Sequence, residues 1–368
     1  MNQLIQDFHS KLKISLYHTV MPLTPKSISE ITQFVNNAVQ CTGQPVYHTY
    51  FLTFDEKYVE YCFVTGCVPI MFYNTADNSP IGFICGKKIR IKNSKRQTNF
   101  ILNVHLQCSC IDSSGLFEYM QHILKIECCK MYITSFEYMH LVTLHALNEC
   151  VDDNDSYCTK QLYVRPINLQ HPAVLAMSQI KCKVKIAPKI FGTFSYPMWF
   201  DKCCKIRYIT PDLIDNGLIE HISQCITEHA NKTYLISEDV SVYHLQKMLE
   251  NPVFKNFLVY DESIDETIFI SFLCTTLTND DGDMLRVGHL YHGTFPRPFF
   301  AYIDSMLEWI CKWIKEWDCF DIVAIEEMFN PNFTRISKFI PIGAAAVYTL
   351  QNNPIQSILP WKNGLKSI

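Results

Sequence analysis

Apolar residues recur along the chain with two different periods, and the places where one period gives way to the other mark out the elements. Four stretches repeat at helical spacing. In Ser27 to Val39, Ile28, Ile31, Phe34 and Val35 share one face, and Ser27 with Glu30 has the spacing of a capping box. From Leu116 to Ile126, Leu116, Tyr119, Met120, Ile123 and Leu124 form a second stripe that follows a turn at Ser113-Ser114-Gly115. Thr210-Pro211-Asp212 predicts a capped start, with Pro in the first turn, for a third helix carrying Leu213, Ile214, Leu218, Ile219 and Ile222. The fourth stripe, Phe299, Ile303, Met306, Leu307, Ile310 and Ile314, predicts a helix over Pro298 to Trp317.

Shorter β-rich runs, bounded by turn residues, lie between them: Ile81 to Cys85, Ile89 to Lys92, Asn99 to Cys108, Met131 to Phe136 and Gln161 to Ile167. A second set follows at Phe257 to Tyr260, Thr267 to Thr276, Val287 to His292, Ile322 to Glu326 and Ala345 to Gln351. The order helix, hairpin, strand, helix, strand is met twice, once on each side of about residue 190. This reads as an α+β chain of two similarly built halves. Periodicity fails over Lys181 to Lys202, where the internal boundary is expected, and over Asn148 to Thr159, which reads as a solvated acidic loop.

Composition narrows the classes. Of 368 residues, 48% are hydrophobic and 18% charged, below the roughly 25% of an average soluble domain, so the chain is rich in core. A net charge of -4 lacks the basic excess of a nucleic-acid binder, and no nucleic-acid partner is expected. The 17 cysteines are odd in number and scattered, which fits reduced core thiols in a cytoplasmic protein. Apolar runs stay strand-sized, so neither a transmembrane segment nor a signal peptide is expected.

Common catalytic signatures are missing: there is no P-loop, dinucleotide GxGxxG, HExxH, GxSxG or CxxC spacing. His140 and His145 are five apart, off the spacing of a helical metal face, and no metal is expected. The informative stretch is Asn99 to Ile126. A strand there runs through Asp112-Ser113-Ser114-Gly115 into a helix start, whose free N–H groups and dipole suit phosphate.

At this segment, and along nearly the whole chain, the sequence resembles the N-myristoyltransferases, two-lobed relatives of the GNAT acyltransferases. The match is clearest in Phe320-Asp321-Ile322-Val323-Ala324-Ile325-Glu326-Glu327-Met328, then Asn332-Phe333, Lys338-Phe339, Ile342-Gly343 and Val347 to Asn352, with Lys362 to Ile368 closing the chain. Ser15 to Thr19, Phe54 to Phe63, Pro80 to Ile84, Lys160 to Leu162 and Pro166 to Leu169 fall in the family's order, so coverage is about 15–368.

The resemblance implies two tandem GNAT-like halves, residues 1–185 on the acyl-CoA side and 186–368 on the peptide side. They would be related by a pseudo-two-fold axis around a shared, mostly antiparallel mixed sheet. It implies transfer of a myristoyl group from myristoyl-CoA, as co-substrate, to the N-terminal glycine of a peptide or protein. Backbone N–H groups of Val104 and His105 would serve as the oxyanion hole, the carboxylate of Ile368 as general base, and Thr134 would sit near the incoming amine. Tyr17 would pack on CoA, with Ser113, Ser114 and Gly115 at its phosphates. There the family's cationic Arg-Ser-Lys-Arg loop is replaced by Asp112-Ser113-Ser114-Gly115, and the acid of its Gly-Asp-Gly is missing at Gly343-Ala344-Ala345. Two readings therefore stand: an active, divergent acyltransferase, or an inactive descendant with a structural or protein-binding role. The divergence, and a chain without the family's long basic N-terminal extension, suggest a fast-evolving source such as a large DNA virus.

Overall fold

The computed structural model describes residues 16–42, 50–89, 99–106, 130–136, 156–178, 187–233, 240–261, 266–295, 302–326 and 338–350. In the first part of the chain the strands are β1 (Leu16–Val20), β2 (Phe51–Thr53), β3 (Cys67–Asn74), β4 (Pro80–Ile89), β5 (Asn99–Leu106), β6 (Lys130–Phe136) and β7 (Ser156–Pro166). The second part adds β8 (Cys204–Tyr208), β9 (Phe254–Asp261), β10 (Glu266–Thr278), β11 (Met284–Gly293), β12 (Ile322–Glu326) and β13 (Ile340–Leu350). The helices are α1 (Pro25–Thr42), α2 (Glu56–Val64), α3 (Pro172–Ser178), α4 (Ala187–Phe191), α5 (Trp199–Cys203), α6 (Asn216–Thr233), α7 (Val242–Glu250) and α8 (Ile303–Glu316).

All strands join one sheet, in the order β1-β3-β4-β5-β6-β13-β7-β12-β11-β10-β9-β8, with β2 added beside β10. Read inward from its two edges, this order is the same series twice. Each side has an edge strand, an antiparallel meander (β3-β4-β5 or β9-β10-β11) and then a parallel partner, β6 on β5 and β12 on β11. The innermost strands are exchanged. β13, from the end of the chain, pairs β6, while β7 pairs β12, and the two meet antiparallel at the centre. This is the expected pseudo-two-fold sheet, with its axis between β13 and β7.

A parallel pair needs a crossover, and α8 supplies it between β11 and β12. Its stripe packs as the sequence predicts: Ile303, Met306, Leu307, Ile310 and Ile314 are buried against Phe257, Ile270, Phe272 and Val323. On the other face of β9 and β10, α6 and α7 bury Ile219, Ile222, Leu245 and Met248 against Phe254, Phe269 and Leu273. In the first half α1 lays Ile28, Ile31, Phe34 and Val35 against β3 and β4. The helix predicted over Leu116 to Ile126 lies outside the described residues, as do His140 and His145.

Several local expectations are corrected. α1 begins at Pro25, and its first turn is held by Thr24, whose Oγ1 accepts from Ser27 N at 3.2 Å, so Ser27 is not the cap; Glu30 instead accepts from the Tyr73 hydroxyl at 3.0 Å. After Thr210 only a 3-10 turn forms over Pro211–Leu213, and α6 is capped by Asp215, whose Oδ1 accepts from Leu218 N at 2.7 Å. The runs Ile81 to Cys85 and Ile89 to Lys92 are not two arms of a hairpin. Ile81 to Ile89 lie on one strand, β4, because β3 pairs it through Gly86 and Lys87 and β5 through Gly86, Lys87 and Lys88; residues 90–92 lie outside the described residues. β7 starts at Ser156, inside the stretch read as loop. The irregular segment before β8 carries α4 and α5, and Phe191 and Phe200 are buried there.

Candidate active site

β5 and β6 run parallel from Asn99–Lys130 to Asn103–Thr134, and past that pair neither strand has the other as a partner. β5 continues along β4, with Val104 paired to Ile84, His105 to Phe83 and Leu106 to Gly82. β6 continues along β13, with Thr134 paired to Val347 and Phe136 to Ala345. The two strands form a fork whose arms are each held from outside. Successive N–H groups of a pleated strand point to opposite edges, so one of Val104 and His105 turns its N–H toward β4 and the other toward the open fork.

Three of the predicted residues are thus brought together: Val104 and His105 on one arm of the fork, Thr134 at its root. Tyr17 pairs with Tyr73 on the edge strand, with β3 and β4 between it and β5. At a strand spacing of about 4.8 Å this places it roughly 14 Å from β5. It lies at the fork end of the sheet, since Tyr73 pairs Pro80 and Gly82 pairs Leu106. Ser113, Ser114, Gly115 and Ile368 lie outside the described residues.

The second half contains the same fork, and its arms are buried. β11 and β12 are parallel from Val287–Ile322 to His289–Ala324. The residues just past that pair, Leu290 and Ile325, belong to one buried cluster with Phe295 and Phe339. A bulge at Tyr291 shifts the β10–β11 register there, so that Ser271 pairs His292 while Phe272 pairs Leu290. At its root stands His289, equivalent in register to Asn103. Its Nε2 is 2.8 Å from Thr275 Oγ1, and burial pushes its pKa down to about 4, so the ring is neutral near pH 7.

Beside the second fork is a buried charge cluster that the sequence did not announce. The Arg165 guanidinium on β7 donates to Glu308 on α8 (Nε–Oε1 2.8 Å) and to the carbonyls of Pro166, Phe191 and Thr193. Lys338, just ahead of β13, lies 3.2 Å from the other Glu308 oxygen and donates to the Thr193 carbonyl at 2.6 Å. Lys338 was visible within its Lys-Phe motif; Arg165, three residues past Leu162 in another matched block, carried no signal of burial. Among the described residues no cluster of three or more His, Cys, Asp or Glu could hold a metal, and no helix is long and apolar enough to cross a membrane.

No protein-family model matches the sequence, and no curated protein matches it at the sequence level. Solved structures do match. N-myristoyltransferase from Saccharomyces cerevisiae with bound myristoyl-CoA superposes with a TM-score of 0.67 at 10% identity, over 96% of this chain and 88% of that one. The same enzyme with bound myristoyl-CoA and inhibitors gives 0.67 at 12% identity, over 97% and 87%. A tandem GNAT protein from the clavulanic acid biosynthesis pathway gives 0.56 at 8% identity, over 92% and 99%. The chain thus has the tandem GNAT fold of the N-myristoyltransferases, with a fork between parallel strands in each half.

Proposed function

We propose that the protein is an acyl-CoA-dependent N-acyltransferase that moves a fatty acyl group, myristoyl in the first instance, onto the N-terminal glycine amine of a peptide or protein. The observation that carries this reading is the fork at Asn103–Thr134. A strand edge that no described residue pairs can take the amide groups of a CoA arm there, as a sheet takes an added strand. It would set a thioester carbonyl against the β5 N–H that faces the gap. That donor, supplied by Val104 or His105, stabilises the oxyanion as the amine attacks. Thr134 at the fork root orients the amine, and the carboxylate of Ile368 accepts its proton, so the thiolate of CoA leaves as the amide forms. Tyr17 closes the edge of the sheet over CoA, with Ser113, Ser114 and Gly115 at its phosphates.

The loss of cations at Asp112 to Gly115 sets the expected affinity. Each missing charge-assisted contact costs about 1.5–3 kcal/mol, so binding weaker by roughly two to five decades than that of a protein keeping the cationic loop is expected. Calorimetric titration with myristoyl-CoA, paired with transfer to a Gly-initiated peptide, tests the reading. Saturable binding with transfer that is lost when the chain is extended past Ile368 supports it. Absence of binding at high micromolar ligand sinks it and favours an inactive descendant with a structural or protein-binding role.

A further inference from the structure

Between the β2–α2 segment and the second half, a cleft of about 850 Å³ opens beside the C-terminal end of α8. That is within the roughly 300–1,000 Å³ of small-molecule sites. Its floor is the stretch of sheet that α8 leaves uncovered. Cys274, Thr276 and Thr278 alternate along β10 and so share a face, and Arg286 is the register partner of Thr276. One wall is aromatic: Trp317 stacks on Phe257 at 5.6 Å with 8° between the rings, and Tyr208 lies 5.4 Å from the same ring.

Two of the charged residues that line the cleft, Lys255 and Asp55, form no ion pair among the described residues; the Asp55 carboxylate accepts from Lys57 N at 2.7 Å. Arg286 is held by Asp318 at 2.7 Å and Asp321 at 3.1 Å, and Lys57 pairs with Glu60 at 3.1 Å. The Lys255 ammonium lies 5.9 Å from the centre of the Tyr208 ring. The two thiols that line the cleft do not answer it. Burial pushes Cys274 up to about 12 and raises Cys319 as well, so both stay protonated. A second polar group is also left over: Thr278 Oγ1 is buried and has no hydrogen-bond partner among the described residues.

We propose that this cleft binds a planar aromatic ring bearing a single anionic group, a ligand of the arylcarboxylate class. The ring lies along Trp317 and Tyr208, the carboxylate meets Lys255, and the Thr278 hydroxyl takes a polar ring substituent. Lys255 admits one negative charge, and Asp55 and Asp318, which also line the cleft, repel more, which excludes a nucleoside polyphosphate. The threonine-lined floor disfavours a plain alkyl chain, whose burial would leave those hydroxyls unpaired. The site is independent of acyl transfer at the β5–β6 fork.

Titration of the full chain, followed by tryptophan fluorescence and calorimetry, tests this with 2-naphthoate, 2-naphthalenemethanol (the ring without the charge) and octanoate (the charge without the ring). Naphthoate is expected to bind at least about tenfold tighter than either, the worth of one charge-assisted hydrogen bond. Lys255→Met, or Lys255→Gln where a polar stem is needed for folding, removes that advantage and leaves naphthalenemethanol binding unchanged. Trp317→Leu weakens both ring ligands. Octanoate binding as tightly as naphthoate, no saturation by naphthoate at millimolar concentration, or indifference to both Lys255 variants overturns the proposal. Displacement of naphthoate by myristoyl-CoA overturns it too, because the cleft would then belong to the acyl-CoA site.

Discussion

Arg165 on β7 and Glu308 on α8 form an ion pair of 2.8 Å with both side chains almost wholly out of solvent, and Lys338 brings a second cation to the same carboxylate. The excess positive charge is taken up by backbone carbonyls and by the Phe191 and Phe194 rings, which lie 5.5 and 5.3 Å from the guanidinium. Arg165 belongs to one exchanged strand and Lys338 leads into the other, so a single carboxylate ties both to the crossover helix. Glu308→Gln leaves two buried cations facing each other without their anion. It is expected to cost about 3–5 kcal/mol in urea unfolding, whereas the triple change Arg165→Met, Glu308→Leu, Lys338→Met costs far less, because no charge is then left unpaired.

Gly288 is fixed by its neighbour. A Cβ at this position would stand 2.9 Å from Phe320 Cγ and nearer still to the ring edge, and Phe320 is itself buried against Phe272 at 5.7 Å. Gly288→Ala is expected to lower stability by about 1–3 kcal/mol. Phe320→Leu in the same chain should recover part of that loss, so a double-mutant cycle in thermal unfolding gives a coupling of opposite sign to the single effects.

His289 and His229 give the fold a dependence on mildly acidic pH. Burial holds both pKa values at about 4, against an ordinary value near 6.5 in the unfolded chain. Between those values the unfolded state binds more protons than the native state, so stability is full above about pH 6.5 and falls as pH drops toward 4. Unfolding free energy measured across this window should change with a slope approaching two protons. His289→Gln is expected to reduce the slope by about one proton and to leave the part due to His229.

How much of this could be read from the chain depended on whether the signal was local. The α8 stripe is legible because one helix face meets one sheet, and Ile303, Met306, Leu307, Ile310 and Ile314 of the repeat are buried, while Phe299 lies outside the described residues. Helix starts are harder to place. Thr24 and Asp215 outcompete Ser27 and Thr210 as caps through hydrogen bonds that depend on the chain's entry angle, which composition does not record. Gly86, Lys87 and Lys88 look like a turn, yet strands on both sides keep β4 extended. The exchange of β7 and β13 joins residues far apart in sequence, so no window contains it, although the repeated element order did announce two halves. At the candidate site the strand and its residues were legible as a resemblance. The buried second fork and the aromatic cleft were not, because each is assembled from elements that touch only after folding.

The β5 pleat separates the two proposed oxyanion donors experimentally. Val104→Pro and His105→Pro each delete one N–H from a strand that β4 pairs along one edge only beyond Asn103. Where the N–H faces β4, its loss breaks a ladder hydrogen bond and should lower Tm with little specific effect on the remaining folded enzyme. Where it faces the fork, the ladder survives and transfer should fall by about 10²–10³-fold in kcat, the usual cost of one oxyanion donor. Val104→Ala and His105→Ala change only side chains and should leave kcat within a few-fold of wild type. Loss of transfer in His105→Ala at unchanged Tm would replace the backbone donor with the imidazole, and proline variants that both lower Tm alone would remove β5 from the reaction.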